Sequence, residues 1–254
     1  MPVPVLAERL RAGETLIAGW CALPEPLVAE AVARAGFDCV NLDAQHGLHD
    51  VSSIVRGIGA IALAGKPALV RIPVGDNGLA SRVLDMGAEA VIAPMINSVA
   101  EARALVAATK YPPVGERSWG PARVMALRGT EPQEHLDSGN RTSLAFAMIE
   151  TDRALGSLDE ILAVEGLDGV FVGPSDLSVT MSDGKKIAPL DSMLDESIRR
   201  IADFANAAGK FAGIFAASPQ RAILFRSFGY RLIALGTDHV YLADGAKAML
   251  SALK

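Results

Sequence analysis

The sequence has 254 residues, 50% of them hydrophobic, which is enough to bury a large core in one α/β domain or two smaller ones. Its formal net charge of −5 is mildly acidic and provides no basic surface of the kind that nucleic-acid-binding proteins use. No apolar run approaches the roughly 18 residues that a transmembrane helix needs.

The cysteines and the N-terminal segment indicate the compartment. Cys21 and Cys39 lie in mostly apolar runs, which favours buried free thiols over a disulfide scaffold. The first residues lack the basic and apolar regions of a signal peptide. A cytoplasmic protein is therefore expected.

From residue 16 onwards, short runs rich in β-branched residues alternate with longer segments of helical periodicity. The predicted strands cover residues 16–22, 38–43, 68–72, 90–95, 144–150, 168–172, 211–216 and 231–235. The predicted helices cover residues 26–36, 51–65, 77–87, 98–110, 154–166, 195–209, 218–229 and about 240–253. Several helices follow an Asp, Asn or Ser that can cap the first turn, and several end in glycine. Strands without polar alternation are typical of a parallel sheet that is covered on both faces.

Eight strand–helix units in 254 residues predict a (β/α)8 TIM barrel that forms a single domain over residues 1–254. An open doubly wound sheet is the alternative, but the sequence has no G-x-G-x-x-G motif. Two segments rich in Pro, Gly and polar residues interrupt the pattern, residues 111–143 and residues 178–194. In a barrel the second segment would lie on the catalytic face, whereas the side of the first is left open.

Barrel enzymes carry their chemistry at the carboxyl ends of the strands, and several predicted strands end in ionisable residues. These residues are Asp43 and His46 after the second strand, Arg71 in the third, Glu150 in the fifth and Asp176 after the sixth. The other strand ends contribute Trp20, Asn97, Ser218 and Asp238. Some polar residues have a simpler structural interpretation: we expect N-caps at Asp50, Ser98 and Ser218, and Asp238 can equally cap the last helix.

Arg71, Glu150 and Asp176 need partners, because an unpaired charge in or beside a buried strand costs several kcal/mol. A structural salt bridge between Arg71 and Glu150 is one interpretation. Alternatively, the two carboxylates hold a hard divalent ion, and Arg71 beside them binds a carboxylate or an oxyanion. His46, steadied by Asp43, would then be a general acid or base. This combination suits reactions that pass through an enolate.

Two other chemistries are less compatible with the sequence. A Schiff-base aldolase needs a lysine inside the barrel, but no lysine projects from a predicted strand; the lysines nearest to strands or their loops are Lys66, Lys110, Lys185, Lys186 and Lys210. A zinc site could begin with His46 and His49, but the remaining histidines, His135 and His239, do not lie at convincing strand ends.

Five motifs resemble the HpcH/HpaI aldolases, the metal-dependent class II pyruvate aldolases. They are residues 42–47 (LDAQHG), 69–73 (LVRIP), 83–88 (VLDMGA) with 92–94 (IAP), 148–151 (MIET) and 171–178 (FVGPSDLS). Their order and spacing agree from the N-terminal region to the last helix, so the resemblance covers nearly the whole chain.

The resemblance implies a barrel of the phosphoenolpyruvate/pyruvate-domain type and assigns roles to the residues at the strand ends. Glu150 and Asp176 would be the ligands of Mg²⁺, Mn²⁺ or Co²⁺. Arg71 would hold the keto oxygen and stabilise the enolate. His46, with Asp43 beside it, would be the base.

Further roles implied by the resemblance concern the substrate pocket and the assembly. The backbone at Gly173, Pro174 and Ser175 would line the carboxylate site, and Trp20 would lie at the aldehyde side of the pocket. Asp85 would reach the histidine of a neighbouring subunit. The assembly would be a homo-hexamer of two trimers with the last helix exchanged between subunits.

Three residues depart from the family pattern. Met148 stands where a Gln is common, Gln45 stands where many members carry Glu, and Trp119 lies in the Gly/Arg-rich segment 115–120. These changes concern the aldehyde partner more than the type of reaction.

The predicted function is reversible aldol cleavage of a 4-hydroxy-2-oxo acid to pyruvate, or an analogue such as hydroxypyruvate, and an aldehyde. One alternative is a Mg²⁺-dependent lyase of the citryl-CoA or malyl-CoA type, although the sequence has no basic cluster suited to the phosphates of CoA. Another is a non-catalytic barrel that binds oxo acids. The expected partners are small molecules, not nucleic acid or membrane.

Overall fold

The computed structural model describes residues 6–253, and its eight parallel strands close into a barrel. The strands are β1 (Leu16–Cys21), β2 (Cys39–Asp43), β3 (Ala68–Arg71), β4 (Ala90–Ala93), β5 (Leu144–Ile149), β6 (Gly169–Val172), β7 (Phe211–Ala216) and β8 (Leu232–Leu235). Each strand pairs with the next along the chain, and β8 pairs with β1. The closed parallel sheet confirms the predicted (β/α)8 fold.

Helices surround the barrel and connect its strands. They are α1 (Leu6–Arg11), α2 (Pro26–Arg34), α3 (Val51–Leu63), α4 (Asn77–Met86), α5 (Val99–Thr109), α6 (Ala122–Arg128), α7 (Pro132–Thr142), α8 (Asp152–Gly156), α9 (Leu158–Leu162), α10 (Pro174–Met181), α11 (Asp195–Ala207), α12 (Pro219–Ser227) and α13 (Asp238–Ser251). Among residues 6–253, no helix has the length and hydropathy required of a membrane span.

The predicted strands agree with the structure to within two residues at each end. The largest difference is at β4, which ends at Ala93 because Pro94 follows and Met95 adopts a left-handed φ of 57°. The prediction lacks four helices, which are α1, α6, α7 and α10. It also merges α8 and α9, which are separate in the structure.

Side chains from the strands form two apolar layers. One layer fills the barrel interior and includes Trp20, Phe146, Met148 and Phe171. The other lies between the strands and the helices and includes Val40, Leu42, Val70 and Val170. Close packing depends on glycine at residue 213, where a Cβ would lie 2.6 Å from the Phe171 ring. Cys21 and Cys39 are buried and free, as predicted.

The segment 111–143 lies at the amino end of the barrel, because it joins the end of α5 to the start of β5. A buried lysine attaches it there: Lys110 Nζ donates to the carbonyl oxygen of Asn140 (2.9 Å) and pairs with Asp168 (2.6 Å). The segment 178–194 begins within α10 and folds back on it, since Ser178 Oγ accepts the Ala188 N–H at 3.0 Å.

The predicted helix caps are confirmed for α3, α5 and α12, where the side chains of Asp50, Ser98 and Ser218 accept backbone N–H groups. Asp238 is the first residue of α13, and its Oδ1 accepts the first-turn N–H of His239 at 2.9 Å. Its Oδ2 accepts the N–H groups of Ala22 (3.0 Å) and Leu23 (2.9 Å), so it ties the start of α13 to the loop after β1.

Candidate active site

A buried ion pair lies at the carboxyl ends of β2 and β3. Asp43 and Arg71 are opposite each other in the β2–β3 register. Arg71 donates from Nε to Asp43 Oδ1 (2.9 Å) and from Nη2 to Oδ2 (2.6 Å). Trp20 on β1 donates from Nε1 to Asp43 Oδ2 (3.2 Å), and the Arg71 guanidinium lies 4.9 Å from the centre of a Trp20 ring. Residues from three neighbouring strands thus form one ion pair with an aromatic side chain packed against it.

The environment of Asp43 keeps it ionised. Burial acts to raise the pKa of Asp43, but the hydrogen bonds and charge of Arg71, together with the Trp20 hydrogen bond, outweigh it and lower that pKa. The pairing also corrects the first structural interpretation, because Arg71 forms its salt bridge with Asp43 and not with Glu150. The β2–β3 register is the reason, since it places the two side chains opposite each other.

The contact between Asp43 and His46 differs from the expected one. Asp43 Oδ1 accepts the backbone N–H groups of Gln45 (3.0 Å) and His46 (3.3 Å). Within residues 6–253, no hydrogen bond joins this carboxylate to the imidazole, which is exposed in the loop after β2. Asp43 therefore shapes the loop that carries His46 and does not orient the ring directly.

Glu150 follows β5 and is 2% exposed. Its Oε1 accepts the backbone N–H of Met95 at 2.7 Å. Burial raises the pKa of Glu150 to about 7, and the negative charge of Asp176 contributes to this rise. The Met95 N–H and the positive charge of Arg71 both act to lower the pKa, but they do not cancel the effect of burial. Asp176 and Arg71 are therefore close enough to act on the Glu150 charge, so the strand ends bring these three ionisable residues together.

The Met95 backbone is a site element that the sequence did not predict. The predicted strand over residues 90–95 would direct this N–H along a sheet ladder. In the structure β4 ends at Ala93, Met95 has a left-handed φ of 57°, and its N–H donates to Glu150 Oε1. A methionine gives no signal for this conformation, which in non-glycine residues is more typical of Asn or Asp.

Gly173 leaves space beside Glu150 that suits a cation. A Cβ at residue 173 would lie 2.5 Å from Glu150 Oε2. Within residues 6–253, no hydrogen bond reaches this oxygen, and Asp176, an exposed residue in the first turn of α10, repels the Glu150 charge. Two carboxylates that repel each other fit a hard divalent cation. The described residues contain no cluster of three or more His, Cys, Asp or Glu ligands, so such a cation would also need oxygen ligands from water or substrate.

The residues expected at the carboxylate site form the start of α10. Gly173 is the N-cap, Pro174 is the first helical residue, and Ser175 follows it and is exposed. Pro174 has no N–H group, so the donors at this helix start come from the residues after it. The helix start suits the negative charge of a carboxylate.

Trp20 is almost completely buried. It is 3% exposed and packs against Phe171 (ring centres 5.9 Å apart) and edge-on against Phe215 (5.5 Å). These aromatic rings form the floor under Arg71, and the role of Trp20 at the aldehyde side of the pocket stays a prediction. Phe215, which sequence analysis did not select, is half-buried at the end of β7 and covers one side of this floor.

Asp85 lies on α4 and is part of a different cluster. Its Oδ1 accepts a hydrogen bond from Arg117 at 2.6 Å, and the Arg117 guanidinium lies 4.6 Å from the centre of the Tyr111 ring. Trp119 packs beside Tyr111 with ring centres 5.4 Å apart. Asp85 makes no hydrogen bond with Asp43, Arg71, Glu150 or His46 of its own chain within the described residues, so its role towards a neighbouring subunit stays a prediction.

A cavity of about 750 Å³ lies away from these residues. Its lining includes Lys66, Glu89 and Thr142, which precede β3, β4 and β5, so it opens at the amino end of the barrel. The candidate active site lies at the carboxyl end, where the paired charges and the raised pKa of Glu150 occur.

Comparison with known proteins gives concordant matches. A family model described as HpcH/HpaI aldolase/citrate lyase matches residues 17–244. A hydroxypyruvate/pyruvate aldolase from Pseudomonas aeruginosa is 35% identical, over 100% of this chain and 94% of the relative. A 2-keto-3-deoxy-L-rhamnonate aldolase from Escherichia coli (strain K12) is 34% identical, over 97% and 92% respectively. The crystal structure of an HpcH/HpaI aldolase from Desulfitobacterium hafniense DCB-2 matches with a TM-score of 0.87 and 28% identity over 96% of each chain.

Proposed function

Because the chain belongs to the HpcH/HpaI aldolase/citrate lyase family and is a carbon–carbon lyase, we propose that it cleaves 4-hydroxy-2-oxo acids by a reversible, metal-dependent aldol reaction. The products are pyruvate, or an analogue such as hydroxypyruvate, and an aldehyde. The names of both relatives support a 2-oxo acid as the substrate class. The observation that carries the proposal is the Asp43–Arg71 pair next to the Glu150 and Asp176 carboxylates.

Glu150 and Asp176 are the proposed ligands of Mg²⁺, Mn²⁺ or Co²⁺. The uncompensated repulsion between the two carboxylates and the space at Gly173 support a cation at this position. When bound, the ion would supply Lewis-acid stabilisation of the negative charge that develops on the substrate. The carboxylate oxygens of Glu150 and Asp176 favour hard cations over soft ones.

Arg71 is the proposed binding group for the keto oxygen and the enolate. Asp43 accepts from Nε and Nη2, and within residues 6–253 Nη1 makes no hydrogen bond. The side chain is 11% exposed. A guanidinium that is already fixed by a bidentate pair needs little reorganisation when charge develops in the transition state. Asp43 and Trp20 contribute by holding Arg71 in place.

His46 is the proposed base. It would take the proton of the 4-hydroxyl group as the C3–C4 bond breaks and the aldehyde leaves, and a proton would return to C3 of the enolate. Its exposed position after β2 supports access to substrate. By the family resemblance, Asp85 of a neighbouring subunit would orient the ring, and the start of α10 at residues 173–175 would bind the substrate carboxylate.

Pyruvate release from a panel of 4-hydroxy-2-oxo acids tests the proposal, with EDTA and then with added Mn²⁺ or Mg²⁺. We expect release to stop with EDTA and to return with metal. Release that is unaffected by EDTA would point to a lysine imine and overturn the assignment of Glu150 and Asp176. If no substrate of the panel is cleaved, binding of CoA or of oxalate would identify a CoA lyase or a non-catalytic barrel instead.

An Arg71→Ala variant provides the second arm of this test. We expect kcat/KM to fall by about 100-fold or more, the size of effect seen when one transition-state donor is removed. Circular dichroism must show that the variant is folded, because it leaves the buried Asp43 without its counter-ion. Undiminished turnover by a folded variant would contradict the role of Arg71.

A further inference from the structure

A chain of hydrogen bonds connects the loop after β4 to Glu150. Met95 donates its N–H to Glu150 Oε1 at 2.7 Å. The Met95 carbonyl oxygen accepts from Asn97 Nδ2 at 2.9 Å. Asn97 Oδ1 in turn accepts the hydroxyl proton of Thr151, the residue after Glu150. The loop after β4 is therefore hydrogen-bonded both to the Glu150 carboxylate and to the hydroxyl of the following residue, Thr151.

The direction of each bond in this chain is set by the chemistry of the groups. The Thr151 hydroxyl has one proton, which it donates to Asn97, and its oxygen accepts the Ala154 N–H at 3.0 Å as the N-cap of α8. Thr151 therefore requires an acceptor at residue 97, whereas the Met95 carbonyl oxygen requires a donor. The Asn97 amide supplies both, an oxygen that accepts and an N–H group that donates.

The conformation of Met95 needs this support. A non-glycine residue in the left-handed region costs about 1 kcal/mol or more, and Met95 has a φ of 57°. The N–H and the carbonyl oxygen of Met95 belong to two successive peptide groups that meet at its Cα. Glu150 binds the first group and Asn97 binds the second, so together they restrict rotation about the backbone bonds of Met95.

We propose that Asn97 is a positioning residue for the metal ligand Glu150. By holding Met95 in the left-handed conformation, Asn97 keeps the Met95 N–H on Oε1 and leaves Oε2, the oxygen beside Gly173, for the cation. Thr151 sets the orientation of the Asn97 amide. The inference rests on the proposed function in one respect, the assignment of Glu150 as a metal ligand.

Binding of Mn²⁺ alone to the metal-free protein, measured by the electron paramagnetic resonance signal of free Mn²⁺, tests the inference without turnover. We expect Asn97→Ala to raise the Kd for Mn²⁺ by about tenfold or more, as found when outer partners of metal ligands are removed. Thr151→Val is expected to act in the same direction, and Thr151→Ser, which keeps the hydroxyl, to bind as the wild type does.

Ser218→Ala is the matched structural control, because it removes the N-cap of α12 and none of the contacts of Asn97. Its Kd for Mn²⁺ should stay within twofold of the wild type even if its thermal midpoint falls. If Asn97→Ala does not fold, the Thr151→Val and Thr151→Ser pair decides, because rescue by serine restores the hydroxyl alone.

Glu150→Gln separates the two proposals. If this variant binds Mn²⁺ like the wild type, the assignment of Glu150 as a ligand fails, and the inference fails with it. If Glu150→Gln loses Mn²⁺ but Asn97→Ala and Thr151→Val retain wild-type affinity, the metal site stands and the positioning role of Asn97 is overturned.

Discussion

Asp43 and Glu150 are both buried carboxyl groups, yet their pKa values are shifted in opposite directions because their partners differ. Asp43 has a guanidinium on both oxygens, whereas Glu150 has one backbone N–H and a second carboxylate nearby. Burial disfavours the charged form of both groups. The contacts of Asp43 outweigh this effect and lower its pKa, whereas those of Glu150 do not, and its pKa is raised. The site therefore combines one carboxyl group whose charged form Arg71 stabilises with a second whose charged form a bound cation would favour.

The stability of the metal-free protein should depend on Glu150. Its pKa is raised from 4.5 to about 7, so between these values the folded state retains a proton that the unfolded state has lost. The resulting stability is fully present below about pH 4.5 and is lost as the pH rises through about 7, with a total of about 3 kcal/mol.

Urea unfolding in EDTA at several pH values between about 5 and 8 measures this effect. The free energy of unfolding of the wild type should decrease with rising pH relative to that of Glu150→Gln, which has no proton to lose. Parallel profiles for the two proteins would mean that the Glu150 pKa is not raised.

At the scale of elements, the turn from β6 into α10 decides how closely a helix start approaches the Glu150 carboxylate. Gly173 has a φ of −102°, which any residue adopts, so its glycine is required by space and not by backbone conformation. An added Cβ would lie 2.5 Å from Glu150 Oε2 and 3.1 Å from Met148 Cε.

Gly173→Ala should therefore weaken metal binding without unfolding the barrel. We expect the Kd for Mn²⁺ to rise by about tenfold, because the displaced carboxylate loses its position as a ligand. Calorimetric titration of the metal-free protein with Mn²⁺ measures this Kd. Gly156→Ala is the control, because a Cβ there meets no atom within 4 Å; equal affinities for the two variants would contradict the steric argument.

At the scale of the whole molecule, α13 leaves a large apolar surface uncovered. Asp238 and the Tyr241 hydroxyl, which donates to the Leu235 carbonyl oxygen, tie its first turn to the barrel. The rest of the helix is exposed, and its exposed apolar residues include Val240, Leu242, Met249 and Leu250. Clustered exposed apolar side chains favour an interaction surface. The homo-hexamer with an exchanged last helix, which the family resemblance implies, stays a prediction.

A Leu242→Glu/Leu250→Glu double variant tests this assembly. We expect the wild type to be a hexamer by light scattering and the variant to be smaller, because the charges would be buried against a neighbouring subunit. Leu27→Glu on α2 is the control, since Leu27 is similarly exposed. A wild-type monomer, or a variant that remains hexameric, would contradict the exchange of α13.

The apolar runs and the spacing of the polar residues determined the barrel, seven of its helices in outline, and the set of residues at the strand ends. These features depend on local patterns, which a single sequence carries. The helices α6 and α7 were missed because Gly129 and Pro132 separate two short helices in a polar segment, so no long periodic run exists. Only one of the four missed helices, α10, contributes to the candidate site.

Tertiary structure decided which of the selected residues contact each other. Arg71 pairs with Asp43 because barrel closure and the β2–β3 register place them opposite each other, and Trp20 lies under them because β1 is the next strand. Glu150 accepts the N–H of Met95, whose carbonyl oxygen binds Asn97, and Asn97 in turn accepts from Thr151. Contacts of this kind join residues far apart in the chain, so the periodicity of a single segment contains no record of them.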